Sequence, residues 1–227
     1  DLDSGNGFRG VGTITTSNST VTVTYTNPQG IAFYQPSGGA YYYSNGTDGP
    51  AGTSPYTSSA VDNRPGTTDI IALRYAGLQT LSFSQAIANP VFAYVSLNGN
   101  GYGFDQDFDI LSFGDASDGN ACGYWGCGTS YKQVATVNGK TEYQLLGTGE
   151  PHGTLQFKGT FDTVNWRSLS SENWNGFTVG VQETAVEYCT ANPTAPGCTP
   201  NGVPEPASLA LLGLGLAGLA VGRRRKG

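Results

Sequence analysis

The 227-residue chain has no methionine, one histidine, only 11 lysines and arginines, and a single long uncharged apolar stretch, which lies at its C-terminus. Each shortage excludes a class of function. Four of the basic residues are Arg223, Arg224, Arg225 and Lys226, so the preceding body sets 7 basic against 17 acidic residues, a net charge of −10. Nucleic acids and anionic lipids need a basic footprint, and the body has none. Ser/His catalysis would rest on His152, which sits in the turn-like Glu150-Pro151-His152-Gly153. No Gly-x-Ser-x-Gly elbow accompanies it. The absence of Met and the start at Asp1 are what removal of an N-terminal signal peptide would leave.

What the chain does have is 34 glycines and 26 aromatic residues, arranged as short β-branched and aromatic runs punctuated by Gly, Ser, Thr and Asn. Thr20-Val21-Thr22-Val23-Thr24-Tyr25 alternates hydroxyl and apolar side chains, the pattern of a half-buried strand. Similar runs cover 69–75, 78–83, 91–97, 102–113, 131–137, 142–146, 153–161, 164–169 and 176–186, with Asn138-Gly139 as a hairpin signal. Residues 35–68, rich in Gly, Ser, Pro and Tyr, read as a long loop or a set of edge strands. The predicted fold is all-β, an antiparallel, jelly-roll-like β-sandwich over residues 1–199, with a closed barrel as the rival. Trp166 and Trp174 read as core or corner packing residues, and the one clear helix is C-terminal.

Four cysteines, an even number, fit an oxidising compartment. Three connectivities are open. Short loops cost least to close, which suggests Cys122 with Cys127 and Cys189 with Cys198. Neither spacing resembles a zinc knuckle.

Residues 200–227 form a second segment. Val203-Pro204-Glu205-Pro206-Ala207-Ser208 precedes the apolar run Leu209 to Val221, and the basic cluster closes it. As a helix, residues 207–222 would extend about 24 Å at about 1.5 Å per residue, short of a bilayer core of about 30 Å but able to span it if the bilayer thins. The positive residues should stay cytoplasmic, which places the body outside. The order of Pro204-Glu205-Pro206, hydrophobic helix and Arg-rich end resembles the PEP-CTERM sorting signal of Gram-negative bacteria. That resemblance implies processing by an exosortase, a membrane-embedded cysteine protease, after transient anchoring in the inner membrane. It also implies a destination at the cell surface or in an exopolysaccharide or biofilm matrix.

In the body, Phe104-Asp105-Gln106-Asp107-Phe108-Asp109-Ile110, if extended, would present Asp105, Asp107 and Asp109 along one face. Such a face would hold Ca²⁺, with Asp115 and Asp118 to complete the shell, or would simply be solvated. Tyr41, Tyr42, Tyr43, Tyr56, Tyr124 and Trp125 lie in loop-like stretches. There they either offer flat faces to sugar rings or pack over a core poor in Leu and Ile. The expectation is a non-enzymatic surface or matrix protein that binds glycan or acts structurally. The alternative is a glycan-active hydrolase using two of Glu142, Glu150, Glu183 and Glu187.

Overall fold

The computed structural model describes residues 7–44, 53–61, 64–66, 68–196 and 198. The strands are β1 (Phe8–Thr15), β2 (Thr20–Asn27), β3 (Phe33–Gln35), β4 (Ile70–Leu73), β5 (Gly77–Ala88), β6 (Val91–Val95) and β7 (Tyr102–Phe104). They continue with β8 (Phe108–Phe113), β9 (Gly128–Val137), β10 (Lys140–Gly149), β11 (Gly153–Phe157), β12 (Thr160–Ser168), β13 (Asn175–Gly180) and β14 (Glu183–Thr184), followed by α1 (Ala185–Ala191).

The strands form two antiparallel sheets. The first runs β1-β2-β5-β12-β7-β10-β9, with β14 also on β5; the second runs β3-β4-β13-β6-β11-β8. Within them β4 pairs β13, β5 pairs β12, β6 pairs β11 and β7 pairs β10. This is the pairing of one long hairpin folded near β8 and β9 and then rolled up, so that successive strands alternate between sheets, as in a jelly roll. Sheet edges exist at β1, β9, β3 and β8, so the barrel alternative is not met.

Alternation in the sequence decides which face turns inward. Along β2, Val21, Val23 and Tyr25 are buried while Thr20 and Thr22 are exposed. Both sheets send aromatic rings into one core, in which Phe92 of β6 meets Phe104 of β7 and Trp166 of β12 at ring-centroid separations of 5.6 and 5.7 Å. Trp166 is thus a core residue. A smaller cluster covers the outer face of the second sheet, where Tyr43 and Tyr56 pack on Ile70, Ala93 and Val95. The segment read as a long loop or a set of edge strands therefore partly covers this sheet with tyrosines. The β9–β10 hairpin turns at Asn138 and Gly139, both at positive φ (50° and 75°), as a two-residue primed turn requires.

Three expectations need correction. The strand predicted over 102–113 breaks into β7 and β8, with 105–107 as the turn between them. β1 was not expected, because Gly10 and Gly12 interrupt its pattern and it lies half exposed at a sheet edge. The run predicted over 176–186 divides into β13, β14 and the start of α1, so a second helix exists beside the one expected at the C-terminus, which lies outside the described residues. Its beginning is a capping box: Glu187 N donates to Thr184 Oγ1 (3.2 Å), and Thr184 N donates to Glu187 Oε2 (2.6 Å).

The body forms one unit through Tyr188, and a second unit begins at Cys189. Among the described residues of the second, Cys189 is bonded to Cys198.

Candidate functional site: an aromatic cluster on a disulfide loop

Cys122 is bonded to Cys127, and the bond closes Gly-Tyr-Trp-Gly into a loop whose ends lie 4.4 Å apart at Cα. Both pairings suggested by short spacing are therefore present. The loop raises Tyr124 (38% exposed) and Trp125 (53% exposed) off the body, with their rings 4.9 Å apart and edge to face. Tyr124 leans on Tyr42 at 5.1 Å, Tyr42 on Trp174 at 5.0 Å, and Trp125 lies 6.2 Å from Trp174. Phe33 of β3 supports Trp174 from beneath at 5.1 Å. Edge-to-face pairs each contribute about 0.5–1.5 kcal/mol beyond simple burial, so the exposed rings have fixed orientations.

The foot of the cluster is polar. Glu150 N donates to Cys127 O (2.9 Å), while Ser96 Oγ and Asn98 Nδ2 each donate to the Glu150 carboxylate at 2.7 Å. Glu172, two residues before Trp174, accepts from Asn175 Nδ2, and the Tyr102 hydroxyl donates to Asn175 Oδ1. Burial pushes the Glu172 carboxyl up to about 7, and the negative Glu150 adds to the rise against hydrogen bonds from Asn175 and Asn100.

Under the same loop lies His152, which is fully buried. Its Nδ1 is 3.1 Å from the Tyr56 hydroxyl, and a Cβ at Gly123 would fall 2.1 Å from its Cγ, so only glycine lets the loop close over the ring. Burial lowers its pKa to about 4, which keeps the imidazole neutral at pH 7.

The structure sorts the remaining candidates. Tyr42, Tyr124 and Trp125 come together, joined by Trp174 and Phe33, which the sequence assigned to packing or did not single out. Tyr43 and Tyr56 are buried and offer no face to solvent. Tyr41 is half-buried, its hydroxyl donating to Pro65 O and its ring facing the Arg64 guanidinium at 5.6 Å.

Asp105, Asp107 and Asp109 do not share a strand face. Asp105, in the turn, accepts from Asn165 N and Nδ2 at 2.9 and 2.7 Å. Asp107 and Asp109 are bridged by lysines: Lys132 Nζ lies 2.9 Å from Asp107 and Lys158 Nζ 2.8 Å from Asp109. Asp118 accepts hydrogen bonds from Phe113 N and Asn120 Nδ2, and Asp115 accepts from Ser117 N as the cap of a short turn. Among the described residues no three His, Cys, Asp or Glu side chains are grouped to hold a metal ion. The cross-strand cations were invisible in a local reading, because Lys132 and Lys158 lie more than 20 residues away.

Of the conceivable hydrolase carboxylates, Glu142 reaches across Gly103 to Arg167, with Nε–Oε2 at 2.6 Å and Nη2–Oε1 at 2.9 Å, and this pairing holds its carboxyl below the usual range. Glu187 is occupied by Thr16, Asn18 and Thr184. Glu183 lies in β14, opposite Ala88 of β5. Glu150 lies beside the disulfide loop, and its charge is felt by Glu172, a residue the sequence did not single out.

Comparison with known proteins bears on the other end of the chain. Residues 202–226 match the family model of the PEP-CTERM protein-sorting motif. The motif marks an exported exosortase substrate, anchored transiently in the membrane before processing. The match spans Pro204, Glu205 and Pro206 and the basic cluster Arg223, Arg224, Arg225 and Lys226, all outside the described residues. Among the described residues no helix is long and apolar enough to cross a membrane. No curated protein and no solved structure matches the chain.

Proposed function

We propose that the exported body is a non-enzymatic glycan-binding protein of the cell surface or extracellular matrix. It would serve in an exopolysaccharide or biofilm layer of a Gram-negative bacterium, with the Tyr124–Trp125 loop as its sugar platform. The observation that carries this reading is the exposure of two rings on a covalently closed loop, buttressed by Tyr42 and Trp174, with the Asn98 amide and the Glu150 carboxylate beside the loop. A pyranose ring presents an apolar C–H face to such rings and hydroxyls to such polar groups. Pre-oriented rings reduce the entropy lost on binding. The sorting motif supplies the setting: the segment 207–222 would act as a transient inner-membrane helix, the basic cluster as its cytoplasmic stop, and exosortase as the processing partner.

The test is a glycan array probed with the full chain in mild detergent. The reading expects one glycan class to bind, with Trp125→Ala weakening it by at least about tenfold, or about 1.4 kcal/mol, at unchanged thermal midpoint. A wholly negative array moves the body to a purely structural role. The second reading, a glycan-active hydrolase, is favoured by the raised pKa of Glu172, a buried carboxyl that feels the charge of Glu150 beside the disulfide loop. Release of new reducing ends from an array hit, lost in Glu172→Gln, would select it.

A further inference from the structure

Tyr124 and Trp125 form a corner rather than a ledge. They are the rings of the cluster that stand out from the body, whereas Tyr42 and Trp174 are half-buried. Their planes are inclined by 75° and their centroids lie 4.9 Å apart, close to the advance of one sugar along a glycan chain. Tyr42 braces Tyr124 at 68°, and Trp174 braces Trp125 at 74°. The Cys122–Cys127 disulfide closes the loop that carries both rings. Rotating either ring into the plane of the other would give up these edge-to-face contacts, so the corner is held at its angle.

A corner selects among chain shapes. A pyranose stacks on an aromatic ring through its C–H face. In a β-1,4-linked ribbon successive pyranoses lie nearly in one plane, so a chain laid on Trp125 would carry its next sugar past Tyr124 without stacking on it. Chains that are α-linked or β-1,3-linked turn from one residue to the next, and two successive sugars of such a chain can rest on two inclined faces.

Charge narrows the class further. A Cβ at Gly126, the neighbour of Trp125, would stand 3.5 Å from Glu150 Cγ, so the Glu150 side chain lies against the loop. Its carboxylate accepts from Ser96 Oγ and Asn98 Nδ2, which takes two of about four lone-pair positions. The positions left can accept hydroxyls of a neutral sugar. They repel a uronate, as does a body whose net charge is −10. We propose, on the sugar-platform reading of this loop, that the Tyr124–Trp125 corner binds a neutral glycan with a turned backbone, α-linked or β-1,3-linked, two successive sugars stacking on the two rings.

The test is affinity electrophoresis of the full chain in mild detergent through gels containing pullulan (an α-linked glucan), laminarin (a β-1,3-glucan), konjac glucomannan (a β-1,4-linked chain) or alginate (a polyuronate). Co-sedimentation on microcrystalline cellulose adds a flat surface. Pullulan or laminarin should retard the protein, and glucomannan, alginate and cellulose should hold it at least about tenfold more weakly. Tyr124→Ala and Trp125→Ala should each weaken retardation at least about tenfold, while Tyr124→Phe, which keeps the ring, should stay within about twofold. If an alanine variant shifts the thermal midpoint, the ranking of glycans by the wild-type protein decides. Trp125-dependent binding to cellulose or glucomannan as strong as to the turned chains would leave the sugar platform standing and overturn this proposal. Unchanged retardation in folded Tyr124→Ala would do the same, because one ring would then suffice, and so would alginate binding as strong as that of the neutral chains. Failure of both pullulan and laminarin to retard the wild type would also overturn it, and if no glycan on the array binds either, the platform reading falls with it.

Discussion

Phe92→Ala should cost about 3–5 kcal/mol of stability, the upper range for deleting a buried ring. Phe92 sits at the centre of the core, stacked on Phe177 at 4.9 Å and meeting Phe104, Trp166, Tyr102 and Phe157 within 6.0 Å. Its partners come from β7 and β12 of one sheet and from β11 and β13 of the other. The cavity would therefore open between the sheets, where neither can collapse without losing register. The check is the urea midpoint, with Tyr131→Ala as the control. Tyr131 is 49% exposed, and its loss should fall within about 0.5 kcal/mol. Similar midpoints for the two variants would mean that the sheets do not share this core.

Acid should weaken the body through His152. In the unfolded chain this imidazole takes up a proton near pH 6.5, but in the folded protein only near 4, because burial disfavours its charged form. Between those values the unfolded state binds more protons, so stability falls as pH drops through the window. Below about 4 the full loss, about 3 kcal/mol, has accrued. Glu172 acts in the opposite sense. Its raised pKa gives stability that is present below its unfolded value near 4.5 and is lost as pH rises through about 7. Its partial exposure reduces that contribution. The His152 contribution is isolated by comparing wild type with His152→Gln in urea at pH 7.5, 5.5 and 4. Wild type should lose stability over the interval relative to the variant, and parallel curves would contradict a neutral buried imidazole.

Local pattern made most strands legible. The alternation in 20–25, the Asn138-Gly139 turn and the runs after Asn89-Pro90 and Asn98-Gly99 all became strands or turns close to where periodicity places them. Glycine hid β1, because an edge strand need not bury a continuous face. Thr184-Ala185-Val186-Glu187 carried the signal for α1, a capping box overshadowed by the β-branched residues before it. At the candidate site, loop composition identified Tyr42, Tyr124 and Trp125 but grouped with them Tyr43 and Tyr56. In Gly-rich sequence a tyrosine that covers a sheet looks the same as one that faces solvent. Glu172 gives no local signal: its raised pKa arises from burial, and of the groups that act on it only Asn175 is near in sequence, while Asn100 and Glu150 come from distant connections.

The body and the tail answer different questions. The sorting motif gives the itinerary of the chain, and the ring-bearing disulfide loop gives the reading of what the body does on arrival. The loop depends on an oxidising destination for its shape, and the two disulfides agree with export in that respect. The most direct test of the itinerary is intact-mass analysis of the protein recovered from cells with and without exosortase. With the protease, the surface or released protein should lack the apolar segment 207–222 and the basic cluster that follows it. Without the protease, the full tail should persist in the membrane fraction. Recovery of released protein still carrying Arg223 to Lys226, in cells with active exosortase, would contradict the account.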